Sequence, residues 1–187
     1  MVASAVKVAL RIDEKFSWLK ELMLIGAGSL LLGLFAHFSF RLPFTPVPIV
    51  VQDYIALLLG AFLGSKRGAL AVLLFIAEGS LGLPFFAQGT AGFAILAGPT
   101  GGYLLGYVLG AYLTGLFLER KKEKTFSSVF LALLLGNLAV FFLGLPWLSL
   151  YLGPAEAFLF GMVPFIPGAM IKLCASLKLL KLLKVYK

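Results

Sequence analysis

Residues 82–103 read Gly82-Leu-Pro-Phe-Phe-Ala-Gln-Gly-Thr-Ala-Gly-Phe-Ala-Ile-Leu-Ala-Gly-Pro-Thr-Gly-Gly-Tyr103, a polar, glycine-rich stretch between strongly apolar runs. The surrounding composition is that of a membrane protein: 61% of the 187 residues are hydrophobic and 13% are charged. A water-soluble domain is closer to half apolar and a quarter charged. Backbone that is not plain helix is tolerated at membrane depth only where it is buried in protein or lines a cavity. The stretch from Gly82 to Tyr103 therefore marks a cavity, and a cavity can hold a small solute.

Working outward, apolar segments fall at about 17–38, 49–64, 67–82, 100–118, 127–145 and 167–183. These are six candidate spans, some shorter than the ~20 residues of a straight crossing. The chain reads as an all-α integral membrane protein of one domain, 1–187, with a lead-in over about 1–16 and a six-helix bundle over about 17–183. Ala155–Val163 is apolar but too short to cross, and is expected along the outer interface. Orientation follows from the basic residues, which collect on the cytoplasmic side of a membrane protein. Every Lys and Arg except Arg41 and Lys172 falls on one side: Lys7, Arg11, Lys15 and Lys20; Lys66 and Arg67; Arg120, Lys121, Lys122 and Lys124; Lys178, Lys181, Lys184 and Lys187. Both termini are expected in the cytoplasm, with loops 39–48, 83–99 and 146–166 outside and the pocket toward the outer face. The positive charges lie where topology puts them, so nucleic acid is not the partner that they imply. The lysines of 178–187 read as a stop-transfer end against anionic lipid.

Ionisable groups within spans are costly and each asks for a reason. Lys172 follows Pro164-Phe-Ile-Pro-Gly168, and Pro167 suits the first turn of a helix because its missing N–H is unpaired there anyway. A cation near that outer end suits a carboxylate; the alternative is a lysine snorkelling to the interface. Asp53, next to Gln52, either accepts hydrogen bonds from a ligand or sits at headgroup level. Glu78 has no assignable partner, Glu156 is expected to be solvated, and His37 reads as an interface residue. The lone Cys174 excludes an intrachain disulfide and a cysteine metal cluster. There is no Gly-x-Ser-x-Gly turn, no His-Glu-x-x-His helix, and no Gly-Lys-Ser/Thr after the glycines of 98–102. A transporter that hydrolyses ATP itself is therefore excluded, and energy, if used, must come from another subunit. Ser29-x-x-x-Gly33 forms a small-residue face that lets a second helix approach, from this chain or from a partner.

Five pieces in order resemble the BioY family, the biotin-specific substrate-binding (S) subunits of energy-coupling factor transporters. They are Leu42-Pro-Phe-Thr-Pro-Val-Pro48 with Gln52; Leu81-Gly-Leu-Pro-Phe-Phe86; Gly98-Pro-Thr-Gly-Gly-Tyr-Leu104; Gly136-Asn137 with Gly144-Leu-Pro-Trp-Leu148; and Pro164-Phe-Ile-Pro-Gly168 with Lys172. The resemblance implies a six-helix subunit that takes biotin from outside. It would work with a transmembrane coupling subunit and two cytoplasmic ATPases, toppling in the bilayer to release substrate, with no cofactor. It also implies that Ser29 and Gly33 contact the coupling subunit. Ligand contacts are expected from Lys172 by charge or hydrogen bonding, from Gln88, Thr100 and Asn137 as polar groups, and from Tyr103 and Trp147 as apolar walls. Gly89, Gly98, Gly101 and Gly102 would admit the solute to the backbone, with Gln52 and Asp53 nearby.

Two positions depart from the family pattern. The usual Asp of Pro-Gly-Asp-x-x-Lys is Ala169, and a tyrosine common after Gly-Asn is Phe141. Loss of the acid removes an acceptor for the ureido N–H groups, for which Asp53, Glu78 and Asn137 are the candidates. Two rivals follow: the same architecture taking another vitamin or a biotin precursor, and a membrane enzyme or assembly factor using Lys172 and His37.

Overall fold

The computed structural model describes residues 17–186. The lead-in with Lys7, Arg11 and Lys15, and Lys187 at the other end, lie outside the described residues. Helix α1 (Ser17–Leu34) ends in a tight turn, Phe35–His37. Strand β1 (Ser39–Phe40) pairs antiparallel with β2 (Ile49–Val50), Ser39 opposite Val50 and Phe40 opposite Ile49. Then follow α2 (Gln52–Leu63), α3 (Ser65–Ser80), a short turn Ala87–Gly89, α4 (Phe93–Leu96), α5 (Gly101–Glu119) and α6 (Phe126–Leu152). Helix α7 (Pro154–Gly161), a turn Val163–Phe165 and α8 (Ile166–Leu182) complete the described chain.

Each of the six apolar segments is helical. Among the described residues, four stretches are long and apolar enough to cross a membrane: Trp18–His37, Gly101–Glu119, Phe126–Leu152 and Pro154–Leu182. Helices α2 and α3, at 12 and 16 residues, fall short of the ~20 of a straight crossing.

Two expectations need correction. The fold is not purely helical, because the β1–β2 pair carries the connection 41–48. The fifth helix does not stop near residue 145 but runs through Pro146 to Leu152. A proline inside a helix removes one N–H donor, and the apolar run Trp147-Leu-Ser-Leu-Tyr-Leu152 favours continuing nonetheless. Ser149 Oγ donates to the Pro146 carbonyl at 2.6 Å, locally binding the turn that follows. The other end of α6 opens with a reciprocal cap: the Ser128 N–H donates to Thr125 Oγ1 at 3.3 Å, and the Thr125 N–H to Ser128 Oγ at 2.9 Å.

Polar joints at one end set how the helices meet. Helices α2 and α3 turn at Gly64, whose φ of +87° suits only glycine without strain. The Glu119 carboxylate, at the end of α5, answers the exposed start of α3: it accepts from the Ser65 N–H and from Ser65 Oγ, both at 2.7 Å. Arg67 pairs with Glu21, tying α3 to α1.

Between helices, glycines bring backbones together as in other membrane bundles. A Cβ on Gly106 of α5 would lie 2.8 Å from both Cα and O of Val140 in α6. Apolar side chains fill two clusters, one around Phe75, Phe86 and Tyr107 beside the irregular segments, the other around Leu57, Leu133 and Leu180. The first backs the site.

Gly106→Ala is expected to push α5 from α6 and cost about 1–3 kcal/mol, read as a lowered thermal midpoint in detergent. Gly26→Ala, with nothing within 4 Å of the added Cβ, should leave that midpoint unchanged or slightly raised.

Candidate functional site

A cavity of about 390 Å³ lies where the irregular segments meet α5, a size within the range of small-molecule sites. Three pieces of chain build it: the β1–β2 connection with Arg41, Thr45, Pro46, Val47 and Pro48; the segment carrying Phe86, Ala87, Thr90, Ala94 and Ile95; and the start of α5 with Gly98, Pro99, Thr100, Tyr103, Leu104 and Tyr107. A recess of about 30 Å³ adjoins it behind Val47, Pro48, Val50, Tyr103 and Tyr107. Asp53, Asn137, Phe141, Phe165, Ala169 and Lys172 also line this recess. The cavity and recess together draw on the β1–β2 connection and on α2, α5, α6 and α8.

Lys172 and Asp53 are partners. The Lys172 ammonium pairs with the Asp53 carboxylate, and donates to the Val50 carbonyl at 3.1 Å. It also stands 5.0 Å from the centre of the Tyr54 ring. The two side chains are only 17% and 15% exposed, so each charge is neutralised in a largely dry place. Neither snorkels out to an interface alone. The Ala169 carbonyl, beside this pair in the recess, accepts from the Tyr54 hydroxyl at 2.9 Å. The Asn137 side chain forms no hydrogen bond among the described residues and lines the recess.

Irregular backbone around the cavity is held by side-chain donors. Gln52, almost fully buried, gives both amide protons to backbone, to the Leu32 and Phe85 carbonyls at 2.8 Å each. The Trp147 indole N–H donates to the Gly98 carbonyl at 2.9 Å. Tyr103 reaches the Gly161 carbonyl at 2.9 Å, and Thr45 Oγ1 the Phe160 carbonyl at 2.8 Å, so both lean on α7.

The residues expected at the site thus divide. Gly98, Thr100, Tyr103 and Gln52 line the cavity, and Asp53, Asn137 and Lys172 line the recess. The others lie behind or beside the wall. Gln88 is exposed, with φ of +60° and its N–H on Ser39 Oγ at 2.8 Å. Gly89 packs on the His37 ring, where an added Cβ would lie 3.0 Å from Cε1. Gly101 lies against the end of α4, where an added Cβ would overlap the Leu96 carbonyl oxygen, and Gly102 makes room for Trp147, whose indole Cγ would lie 2.7 Å from an added Cβ. The small size of Gly102 serves the α5–α6 contact, and that of Gly101 the turn from α4 into α5. Trp147 is a brace on the Gly98 carbonyl and not a lining residue.

Ser29 and Gly33 are also used internally. Ser29 is fully buried and donates to Glu78 of α3, which supplies the partner Glu78 lacked in sequence. Gly33 admits the ring of Phe85, 2.7 Å from the position of an added Cβ. Sequence reasoning missed Arg41, Thr45, Thr90 and Tyr107 as lining residues. Tyr107 carried a signal, since it stands one helical turn after Tyr103 on the same face.

The BioY family description matches residues 6–187. The chain belongs to the BioY family. Relatives within this family include a biotin transporter BioY of Thermotoga maritima, 38% identical over 147 residues, covering 77% of this chain and 85% of the relative. Another, from Rhizobium etli, is 39% identical over 140 residues, covering 70% and 74%. Among solved structures, the S-component for biotin from an ECF-type ABC transporter superposes with a TM-score of 0.81. It is 28% identical, and the match covers 90% of this chain and 93% of that one. The fold is thus shared over nearly the whole length.

Lys172→Met leaves the Asp53 carboxylate unpaired, and a loss of roughly 3 kcal/mol is expected. The double variant Asp53→Asn with Lys172→Met should recover much of it. Thermal midpoints of the wild type, both single variants and the double variant measure this coupling; additive losses would show that the pair contributes nothing as a pair.

Proposed function

We propose that this chain is the biotin-binding subunit of an uptake transporter, energised by a transmembrane coupling subunit and two cytoplasmic ATPases. The observation that carries the reading is a solute-sized cavity of about 390 Å³ opening beside a polar recess, in a chain of the BioY family. Biotin combines an apolar bicycle and chain with a cyclic urea and a carboxylate. The cavity offers Tyr103, Tyr107, Ile95 and Phe86 to the apolar parts. The recess offers the Asp53 carboxylate as acceptor, the Lys172 ammonium as donor, and the free amide of Asn137. Asp53 thereby supplies the acid that the family usually carries at position 169. Thr100 and the backbone at Gly98 are further contacts on the cavity side.

Relatives named as biotin transporters favour this reading over a membrane enzyme or assembly factor using Lys172 and His37. His37 packs on Gly89 and does not line the cavity, which further weakens a two-residue catalytic scheme. A closely related vitamin or a biotin precursor is the second reading, favoured specifically by Ala169 in place of the acid.

In the bilayer the chain is a single domain of six crossings with cytoplasmic termini and an outward-facing cavity. The basic clusters support this orientation, since Arg67, Arg120 and Lys181 share the end opposite the β1–β2 connection. Helices α2 and α3 cross with the help of their flanks, because 12 and 16 residues rise only part of the way. The exposed apolar face of α1, with Leu22, Met23, Leu30 and Leu34, is available to lipid and to the coupling subunit. Ser29 and Gly33 would then act indirectly, by seating α1 on α3 and Phe85 so that this face is presented.

The test is a titration of the purified chain with labelled biotin. Saturable binding in the micromolar range or tighter, at least about −8 kcal/mol on the standard scale, is expected; its absence sinks the assignment. Asp53→Asn should weaken binding about tenfold, as loss of one charged hydrogen-bond acceptor does. Adding Ala169→Asp to that variant should restore part of the affinity, and no restoration would separate Asp53 from the role of the missing acid.

A further inference from the structure

The wall behind the recess is one residue thick. Val50 borders the cavity and the recess, and its neighbour Val51 borders a groove on the other side. Asp53 likewise faces the recess and Tyr54 the groove, while Lys172 borders both. Two contacts close this wall: the Lys172–Asp53 pair, and the Tyr54 hydroxyl donating to the Ala169 carbonyl at 2.9 Å. Both join α2 to α8. Helix α8 belongs to the span Pro154–Leu182, which at 17% is the least buried of the four crossing stretches among the described residues. The seam between solute site and bilayer therefore has little packing of its own.

The groove measures about 460 Å³ and runs between α1, α2 and α8. On α2 it follows one stripe, Val51, Ile55, Leu58 and Phe62, along the whole helix. That stripe is ~17 Å long at the helical rise, so the mean cross-section of the groove is roughly 27 Å². A helix of ~10 Å diameter needs about three times as much, whereas a single extended hydrocarbon chain fits. Leu31, Phe62, Leu179 and Leu183 are exposed, which leaves the groove open to lipid along its side. Basic side chains gather at its end away from the β1–β2 connection. Lys184 follows Leu183 directly, and Lys66 stands four residues after Phe62. Lys20 lies on the Leu31 face of α1, eleven residues or about three turns back. Of the carboxylates at this end, Glu21 is taken by Arg67 and Glu119 by Ser65, and Glu123 stands among Arg120, Lys121, Lys122 and Lys124. The mouth of the groove is therefore strongly positive.

We infer that this groove binds one acyl chain of an anionic phospholipid, with the headgroup at the basic end and the chain lying behind the Lys172–Asp53 seam. The chain supplies, from the bilayer side, the packing that α8 lacks within the bundle, and so holds α8 against α2. Solute and lipid then stabilise the same closed seam from opposite faces, and each tightens the other by the same factor. The lipid site stands on the groove alone; its effect on the solute rests on the biotin reading.

The test exposes the purified full chain in detergent to equal amounts of dioleoylphosphatidylglycerol and dioleoylphosphatidylcholine, and counts retained lipids by native mass spectrometry. One phosphatidylglycerol per chain is expected, held about tenfold more tightly than phosphatidylcholine, as one or two lysines near a headgroup confer. Ala175→Phe, which fills the groove from an exposed position on α8, should retain none and keep its thermal midpoint. Ile171→Phe, on α8 but outside the groove, should retain the lipid as wild type does. Lys66→Gln with Lys184→Gln should lose the preference for the anionic headgroup. Added phosphatidylglycerol should tighten biotin binding about fivefold in wild type and leave Ala175→Phe unchanged. Wild type that retains no lipid, or both lipids equally, overturns the inference. So does retention that survives Ala175→Phe, or a preference that survives Lys66→Gln with Lys184→Gln. A lipid-free groove whose filling breaks a dimer, or assembly with the coupling subunit, assigns it to a protein partner and overturns the inference as well. Biotin binding that ignores the lipid overturns the coupling. Lipid retention in a chain that binds no biotin overturns the biotin reading and leaves the lipid site standing.

Discussion

A backbone carbonyl released from a helix inside an apolar protein must find a donor, because water is not there to supply one. The site is organised by that requirement. The segments 39–50 and 83–100 are largely irregular, interrupted only by the short β1–β2 pair and α4, and side chains from flanking helices answer their carbonyls or those beside them. Gln52 serves Leu32 and Phe85, Trp147 serves Gly98, and Tyr151 serves Ala97. Tyr103 and Thr45 do the same for the end of α7. Most of these donors are long or rigid side chains projecting from a regular element to an irregular one. Together they frame the cavity.

Charge follows the same rule. Where side chains are removed from water, opposite charges meet: Asp53 with Lys172, largely buried. Where helices end, a carboxylate takes the role of a cap, as Glu119 does at Ser65. Arg67 and Glu21 close the same end of the bundle on an exposed pair, worth little alone. Arg41 stands apart from this pattern, with no ion-pair partner among the described residues.

The small residues show how one chemical property serves different ends. Gly106 lets two backbones approach, Gly102 makes room for an indole, and Gly33 for a phenyl ring. None of these is distinguishable from a ligand-facing glycine by spacing, since all follow the same rule that a missing Cβ permits close contact. That is why Gly101, Gly102 and Gly89 read as cavity residues in the sequence, while in the fold an added Cβ at each would meet Leu96, Trp147 and His37 in turn. Trp147 follows the same logic. Its ring reads as a wall, but a half-buried indole in an apolar protein needs an acceptor for its N–H, and it finds one at the Gly98 carbonyl.

From sequence alone the apolar segments, the irregular stretch between them and the family likeness are all legible, because hydropathy and motif order are local properties of the chain. The helix end at residue 152 is not, since Pro146 is a strong local stop signal that the apolar run after it outweighs. Asp53 and Lys172 are each suspect in sequence as costly groups in apolar surroundings, and Glu78 and Ser29 each draw notice for separate reasons. Only the tertiary structure pairs them, across 119 and 49 positions of chain. The physical reason is that the cost of an ionisable or polar group is written in its own neighbourhood, whereas its compensation depends on which helix faces arrive beside it.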